Sequence, residues 1–209
     1  MLNFLTPANL IADFIILFIC FPVHEFSHAF VADYFGDDTP RLAGRLTLNP
    51  LAHLDILGSI ILIYAHFGWA KPVPINPFLL NMRSRWAEMW VSLAGPMSNL
   101  ALAILAAIFL RLFQVITVPT LVLDIMRNII SINILLAIFN LIPISPLDGE
   151  KVLMPFLPPS VADFMNRIRP YSPLILMAII FLLPNFGINI ISWIVTPLMQ
   201  LVLKGLGVN

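Results

Sequence analysis

His24, Glu25 and His28 stand in the order H-E-x-x-H within the stretch FPVHEFSHAF. On a helix, positions i and i+4 lie on one face, so both imidazoles can reach a single zinc ion. Glu25, beside them, can act as general base toward the water that such a metal activates. Zinc suits this pattern because it is tetrahedral, takes histidine and carboxylate ligands, and in catalytic sites keeps one position open. The bland alternative is a chance pair of helix histidines that satisfy each other. The surroundings weigh against it. Residues 14–23 carry no charge, and ionisable groups at membrane depth are costly and mark function by default.

A catalytic zinc needs a third protein ligand. Asp148 stands out among eleven acidic residues because it follows an apolar run in NLIPISPLDG, where prolines end the helix and Gly149 frees the backbone. Irregular backbone at membrane depth is tolerated only where protein or a water cavity covers it. Taken alone, Asp148 reads equally well as an interfacial cap on residues 149–153. Topology tips the balance. The histidines lie in the C-terminal part of the first apolar helix, and Asp148 lies just past a later one. They share a depth only if those two helices run parallel, and one crossing between them gives that arrangement.

The elements that must position these residues follow from composition and patterning. Of 209 residues, 60% are hydrophobic and only 11% charged, against about 25% charged in soluble domains. This is an all-α polytopic membrane protein, read as a single membrane-embedded domain over residues 1–209. Net charge is zero, which gives no argument for nucleic acid or an acidic partner. Cys20 is the only cysteine, so an intrachain disulfide and a cysteine-rich zinc site are excluded. The start, MLNFLTPANL, has neither a basic segment nor a small-residue cleavage pattern and does not read as a signal peptide.

About five spanning helices are expected, over residues 8–34, 86–113, 121–142, 171–183 and 188–203. The region 39–83 differs. RLAGRLTLNP and AKPVPINP carry β-branched residues bounded by Gly, Pro and Asn, as short strands do. Between them, residues 56–67 are apolar but too short for a comfortable span, which suits a re-entrant piece. With the N-terminus outside and Lys204 left unplaced, Arg41, Arg45, Lys71, Arg83, Arg85, Lys151, Arg167 and Arg169 all fall inside, and only Arg111 and Arg127 outside. That asymmetry fits the positive-inside rule, and it puts the candidate site toward the cytoplasmic side of a cell membrane. Were residues 56–67 a full span, the bias would largely vanish.

HEFSH in the first helix, SLAGPMSN in a middle one and NLIPISPLDG after a later one resemble the site-2 protease family of intramembrane zinc metalloproteases. GRLTLNPLAHLD and WAKPVPINP further resemble its short subgroup without an appended soluble domain. The resemblance implies one Zn2+ per chain bound by His24, His28 and Asp148, with Glu25 catalytic. It implies a short membrane-embedded β-hairpin after the first helix, and hydrolysis of peptide bonds in transmembrane segments of other membrane proteins. The partners on this reading are the lipid bilayer and transmembrane protein substrates. Self-association is compatible with the sequence but does not follow from it.

Asn140 resembles the family's polar position before the Pro–Asp–Gly motif and is a candidate substrate-binding residue, with a helix–helix hydrogen bond as the alternative. Asn99, near Gly95 and Pro96, is a second candidate for orienting substrate, against close helix packing through Gly95. His53 and His66 read as loop residues away from the metal, and Cys20 as a small buried hydrophobe one turn before His24. The free edge of the expected hairpin, at Leu46 and Leu48, would pair with an unwound substrate by strand addition. Two other classes compete. A prenyl-protein type of membrane zinc peptidase would need a downstream glutamate, and only Glu88 and Glu150 are available. A non-catalytic metal binder or transporter would need more ionisable groups along the later helices, which have almost none.

Overall fold

The computed structural model describes residues 11, 14–65, 68–113 and 118–208. Its first helix, α1 (Ile16–Tyr34), opens with a π-helical turn over Ile16–Cys20 and becomes α-helical from Phe21. Gly36, at φ 89°, lets the chain leave the helix in a left-handed turn. Asp37 then fixes the exit. It is fully buried, and its two carboxylate oxygens accept the Thr39 and Asn76 backbone N–H groups. The end of α1 is thereby tied to a segment 39 residues further on.

The region after α1 departs from the expected β-hairpin. It holds two single helical turns, Thr39–Leu42 and Pro50–Ala52, then α2 (Ile56–Ala65), an extended run, and α3 (Pro77–Arg83). Among the described residues its only β-type pairing is one antiparallel bridge, Leu54 to Ala70, beside the Lys71 N–H donating to the His53 carbonyl at 2.8 Å. The physical reason lies in Pro50, Pro72, Pro74 and Pro77, which remove ladder donors. Asn49 and Asn76 also accept the Leu51 and Phe78 N–H groups and start helical turns where strands were expected. Carbonyls that a ladder would use are taken by a side chain instead, since the Arg45 guanidinium donates to Ala52 O and Lys71 O. With 10 residues, α2 rises about 15 Å, half the hydrocarbon thickness of about 30 Å. Residues 66–67 of that segment lie outside the described residues.

The long helix α4 (Ala87–Phe113) is the hub. Ala103, Ala106 and Ala107 present a small-residue face on which Ile130 and Ile134 of α5 (Thr120–Asn140) close a core with Leu110 and Val208. Small residues permit that close approach in a membrane helix pair. On its other flank α4 packs against α1 and the short helix α6 (Asp148–Leu153). Two apolar helices follow, α7 (Pro159–Phe186) and α8 (Ile190–Leu206). Among the described residues, four helices are long and apolar enough to cross a membrane: α1, α4, α5 and α7. The expected fifth, α8, has 17 residues and reaches about 25 Å. The count of about five spans is therefore corrected to four plus one shorter apolar helix.

Side-chain contacts gather the cationic segments at one end of α4. Lys151 lies 4.0 Å from Glu88, Arg85 stacks on Trp86 at 4.7 Å, and Trp86 meets Phe156 at 5.3 Å. At the opposite end, Arg111 donates to the Leu206 carbonyl at 2.6 Å.

Candidate metal centre

His24 and His28 face α4 from one side of α1, as i, i+4 residues must. Their Nε2 atoms are 3.0 Å apart, and Asp148 Oδ2 lies 3.3 Å from each. Chain segments more than a hundred residues apart in sequence are thus brought to one point. Asp148 reaches it as the first residue of α6, after a turn containing the cis Ser145–Pro146 bond. Gly149 matters here through close approach. A Cβ there would overlap the Leu141 carbonyl, so the turn could not fold back on the end of α5. Gly95 has the same role on α4, because a Cβ would come within 2.6 Å of His24 Nε2 and closer still to His28 Nε2.

Hydrogen bonding on the far side of each ring decides what the cluster can hold. His28 Nδ1 is 2.6 Å from the Val91 carbonyl, and His24 Nδ1 is 2.5 Å from Asn99 Oδ1. Both oxygens only accept, so each Nδ1 carries the proton and each Nε2 turns a lone pair inward. Asp148 Oδ2 adds a third acceptor and, though buried, has no hydrogen-bond donor. Three acceptors converging without a donor fit a cation. The 3.3 Å from Asp148 Oδ2 to each Nε2 also fits zinc, since tetrahedral bonds of 2.0–2.2 Å put ligand atoms about 3.3–3.6 Å apart, and the Nε2 pair at 3.0 Å lies somewhat inside that range. Among the described residues this is the one such cluster of His, Cys, Asp and Glu.

Glu25 turns to a different neighbour. Its Oε2 accepts the Val73 N–H at 3.2 Å. Val73 lies between Pro72 and Pro74, so its N–H is the sole backbone donor of that triplet. The extended run 71–76 is strapped in place by Arg45, itself only 5% exposed. His53 meets that run through its carbonyl, which accepts the Lys71 N–H, while its Nε2 lies 2.7 Å from the Thr47 carbonyl and burial pushes its imidazole below the ordinary range.

The remaining sequence candidates separate. Asn140, half-buried at the end of α5, donates to the Leu136 carbonyl of its own helix at 3.0 Å. Asn99 is fully buried, and its Nδ2 donates to Asn133 Oδ1 at 3.0 Å. His53 stands outside the metal cluster, as a loop residue should, and His66 lies outside the described residues. Glu150 is bound by Arg169 at 2.7 Å and Glu88 by Lys151, so neither joins the cluster. Sequence reasoning passed over Asn133 and Val73. An asparagine inside the apolar run SINILL was a usable signal, because polar groups within membrane helices need partners. Val73 acts through its backbone, which side-chain identity does not reveal.

A three-acceptor site buried among apolar helices defines a membrane-embedded metalloenzyme with an H-E-x-x-H glutamate beside it. Residues 12–122 match the family model of Peptidase family M50, so the chain belongs to that family, the site-2 proteases, and is an intramembrane zinc metalloprotease. Among curated proteins it is 40% identical over 185 residues to the protein named "Putative zinc metalloprotease YwhC" of Bacillus subtilis, covering 85% of this chain and 84% of that one. It is 31% identical over 161 residues to "Putative zinc metalloprotease Rip2" of Mycolicibacterium smegmatis, covering 76% of this chain and 62% of that one. To the Rip2 of Mycobacterium tuberculosis it is 29% identical over 181 residues, covering 82% and 68%. No solved structure matches the chain.

Proposed function

We propose that His24, His28 and Asp148 hold the zinc and that Glu25 is the general base of peptide hydrolysis within a single membrane-embedded domain. The observation that carries this reading is the convergence of three acceptor atoms, at 3.0–3.3 Å, on one buried point with no donor among them. Zinc bound there supplies Lewis-acid chemistry, bringing the acidity of water near neutral pH and polarising a carbonyl. Glu25 takes the proton of the attacking water and passes it to the leaving amine. The Val73 N–H holds the Glu25 carboxylate in one orientation in the resting site. Asn140 is the candidate contact to the substrate backbone. Asn99, with no exposed surface and both amide atoms engaged, serves the ligand rather than the substrate.

The substrates are transmembrane segments of other membrane proteins, which must unwind to present a peptide bond because helical backbone groups are already paired. Hairpin-edge addition at Leu46 and Leu48 has lost its hairpin, and the extended run 71–76 is the remaining backbone that could pair with substrate. The cationic end of α4 is placed in the cytoplasm and the N-terminus outside, on the positive-inside rule. The prenyl-protein alternative is disfavoured because both available glutamates are held by cations away from the cluster.

The test is cleavage of a reconstituted transmembrane substrate by the full chain and by Glu25→Gln. The variant keeps its zinc and loses cleavage by about 10²–10⁴-fold. Cleavage near the wild-type rate would remove Glu25 as the base.

A further inference from the structure

The hydrogen bonds behind His24 do not stop at Asn99. Asn99 Nδ2 donates to Asn133 Oδ1 at 3.0 Å, and Asn133 Nδ2 donates to the Ile129 carbonyl at 2.9 Å and to Cys20 Sγ at 3.2 Å. Asn99 and Asn133 are both fully buried and Cys20 is 1% exposed. An amide is ambiguous by itself, because its oxygen and nitrogen can exchange places. Here the ambiguity is resolved step by step. The Ile129 carbonyl can only accept, so Asn133 must turn its NH₂ there and its oxygen toward α4. That oxygen can only accept, so Asn99 must turn its NH₂ to Asn133 and its oxygen to His24. Asn99 Oδ1 can only accept, so His24 must carry its proton on Nδ1 and offer a lone pair from Nε2.

We propose that Asn133 is a positioning residue for the metal centre: anchored on the α5 backbone, it fixes the orientation of Asn99 and through it the zinc-binding tautomer of His24. His28 needs no such relay, because its Nδ1 meets the Val91 carbonyl directly. Without Asn133, Asn99 is free to flip and offer its NH₂ to Nδ1. The proton then moves to Nε2 and blocks the ligand. Groups that orient metal-bound histidines typically change metal affinity 10–100-fold when removed. The inference rests on the reading of His24 as a zinc ligand, and its test separates the two.

The full chain in detergent is brought to equilibrium with zinc and a competing chelator, for the wild type, Asn133→Leu, Asn99→Asp, the double variant and His24→Ala. Asn133→Leu holds zinc about tenfold more weakly. A carboxylate at position 99 accepts through either oxygen and needs no orientation. In the Asn99→Asp background, Asn133→Leu therefore changes zinc affinity by less than about threefold. Helix packing lost at position 133 would not be rescued this way, so an undiminished tenfold loss in that background overturns the relay. So does wild-type affinity in Asn133→Leu itself. If Asn133→Leu loses its helical circular dichroism without zinc, Asn133→Ser is measured instead, with the same expectations. Wild-type affinity in His24→Ala would overturn the ligand assignment, whereas its loss alongside an unaffected Asn133→Leu would sink only the relay.

Discussion

At the residue scale the centre is defined by what is missing as much as by what is present. Gly95 leaves the space in which the two imidazoles meet, and a Cβ there would run into the Nε2 ends of both rings. Gly95→Ala puts a methyl group against both rings. Overpacking of this kind costs about 1–3 kcal/mol, so the variant should hold zinc about tenfold or more weakly while the helices still form. Zinc retention against a chelator, compared with helical circular dichroism, checks it, and undiminished retention would show that the rings have room to move. His24, Glu25 and His28 were legible in the sequence because a motif of fixed spacing on a helix dictates its own geometry. Asp148 was legible only as one of two readings, since its partner residues lie far away in the chain. The uses of Asn99 and Asn133 were not legible, because hydrogen bonds between helices depend on helix rotation, which apolar composition leaves open.

At the element scale the extended run 71–76 departs most from expectation. Its β-branched and turn residues read as a strand, yet its prolines leave too few donors for a ladder and the Arg45 side chain takes up the Lys71 carbonyl. What survives of the strand is one N–H, that of Val73, given to Glu25. Val73→Pro removes the donor and Val73→Ala keeps it. A hydrogen bond to a charged group contributes about 1.5–3 kcal/mol. If that bond orients the base for reaction, Val73→Pro lowers kcat about tenfold or more with zinc unchanged, and Val73→Ala stays near the wild type. Equal rates for both variants would show that the strap has no part in the chemistry. The helices at 87–113, 120–140 and 190–206 were legible to within a few residues, because length and hydropathy are local properties, whereas the one expected at 171–183 begins twelve residues earlier, at Pro159, in a stretch whose prolines read as a link. The break-up of 159–186 into α, 3-10 and π turns was not legible.

At the scale of the whole molecule, α4 joins the pieces: α1 brings the histidines to one side and α6 the aspartate, while α5 closes the core. The metal site needs α1 and α5 to run parallel, and the positive-inside reading of the charges rests on the same arrangement. Single cysteines at Arg41, Arg85, Arg167 and Leu121 in a Cys20→Ser background read the topology directly, as all four positions are exposed. The first three should react with a membrane-impermeant thiol reagent from the cytoplasmic side and Leu121→Cys from the other. Positions 41 and 85 on opposite sides would make α2 a true span and undo the parallel arrangement.

The central claim is that a carboxylate from the far half of the chain completes a zinc site begun by the two histidines of α1. The most direct measurement is the metal content of the purified full chain and of Asp148→Ala, both checked for intact helical content. The wild type should carry about one zinc per chain, and Asp148→Ala should lose most of it. Full zinc occupancy in Asp148→Ala would contradict the account, because the three-acceptor site would then not be what binds the metal.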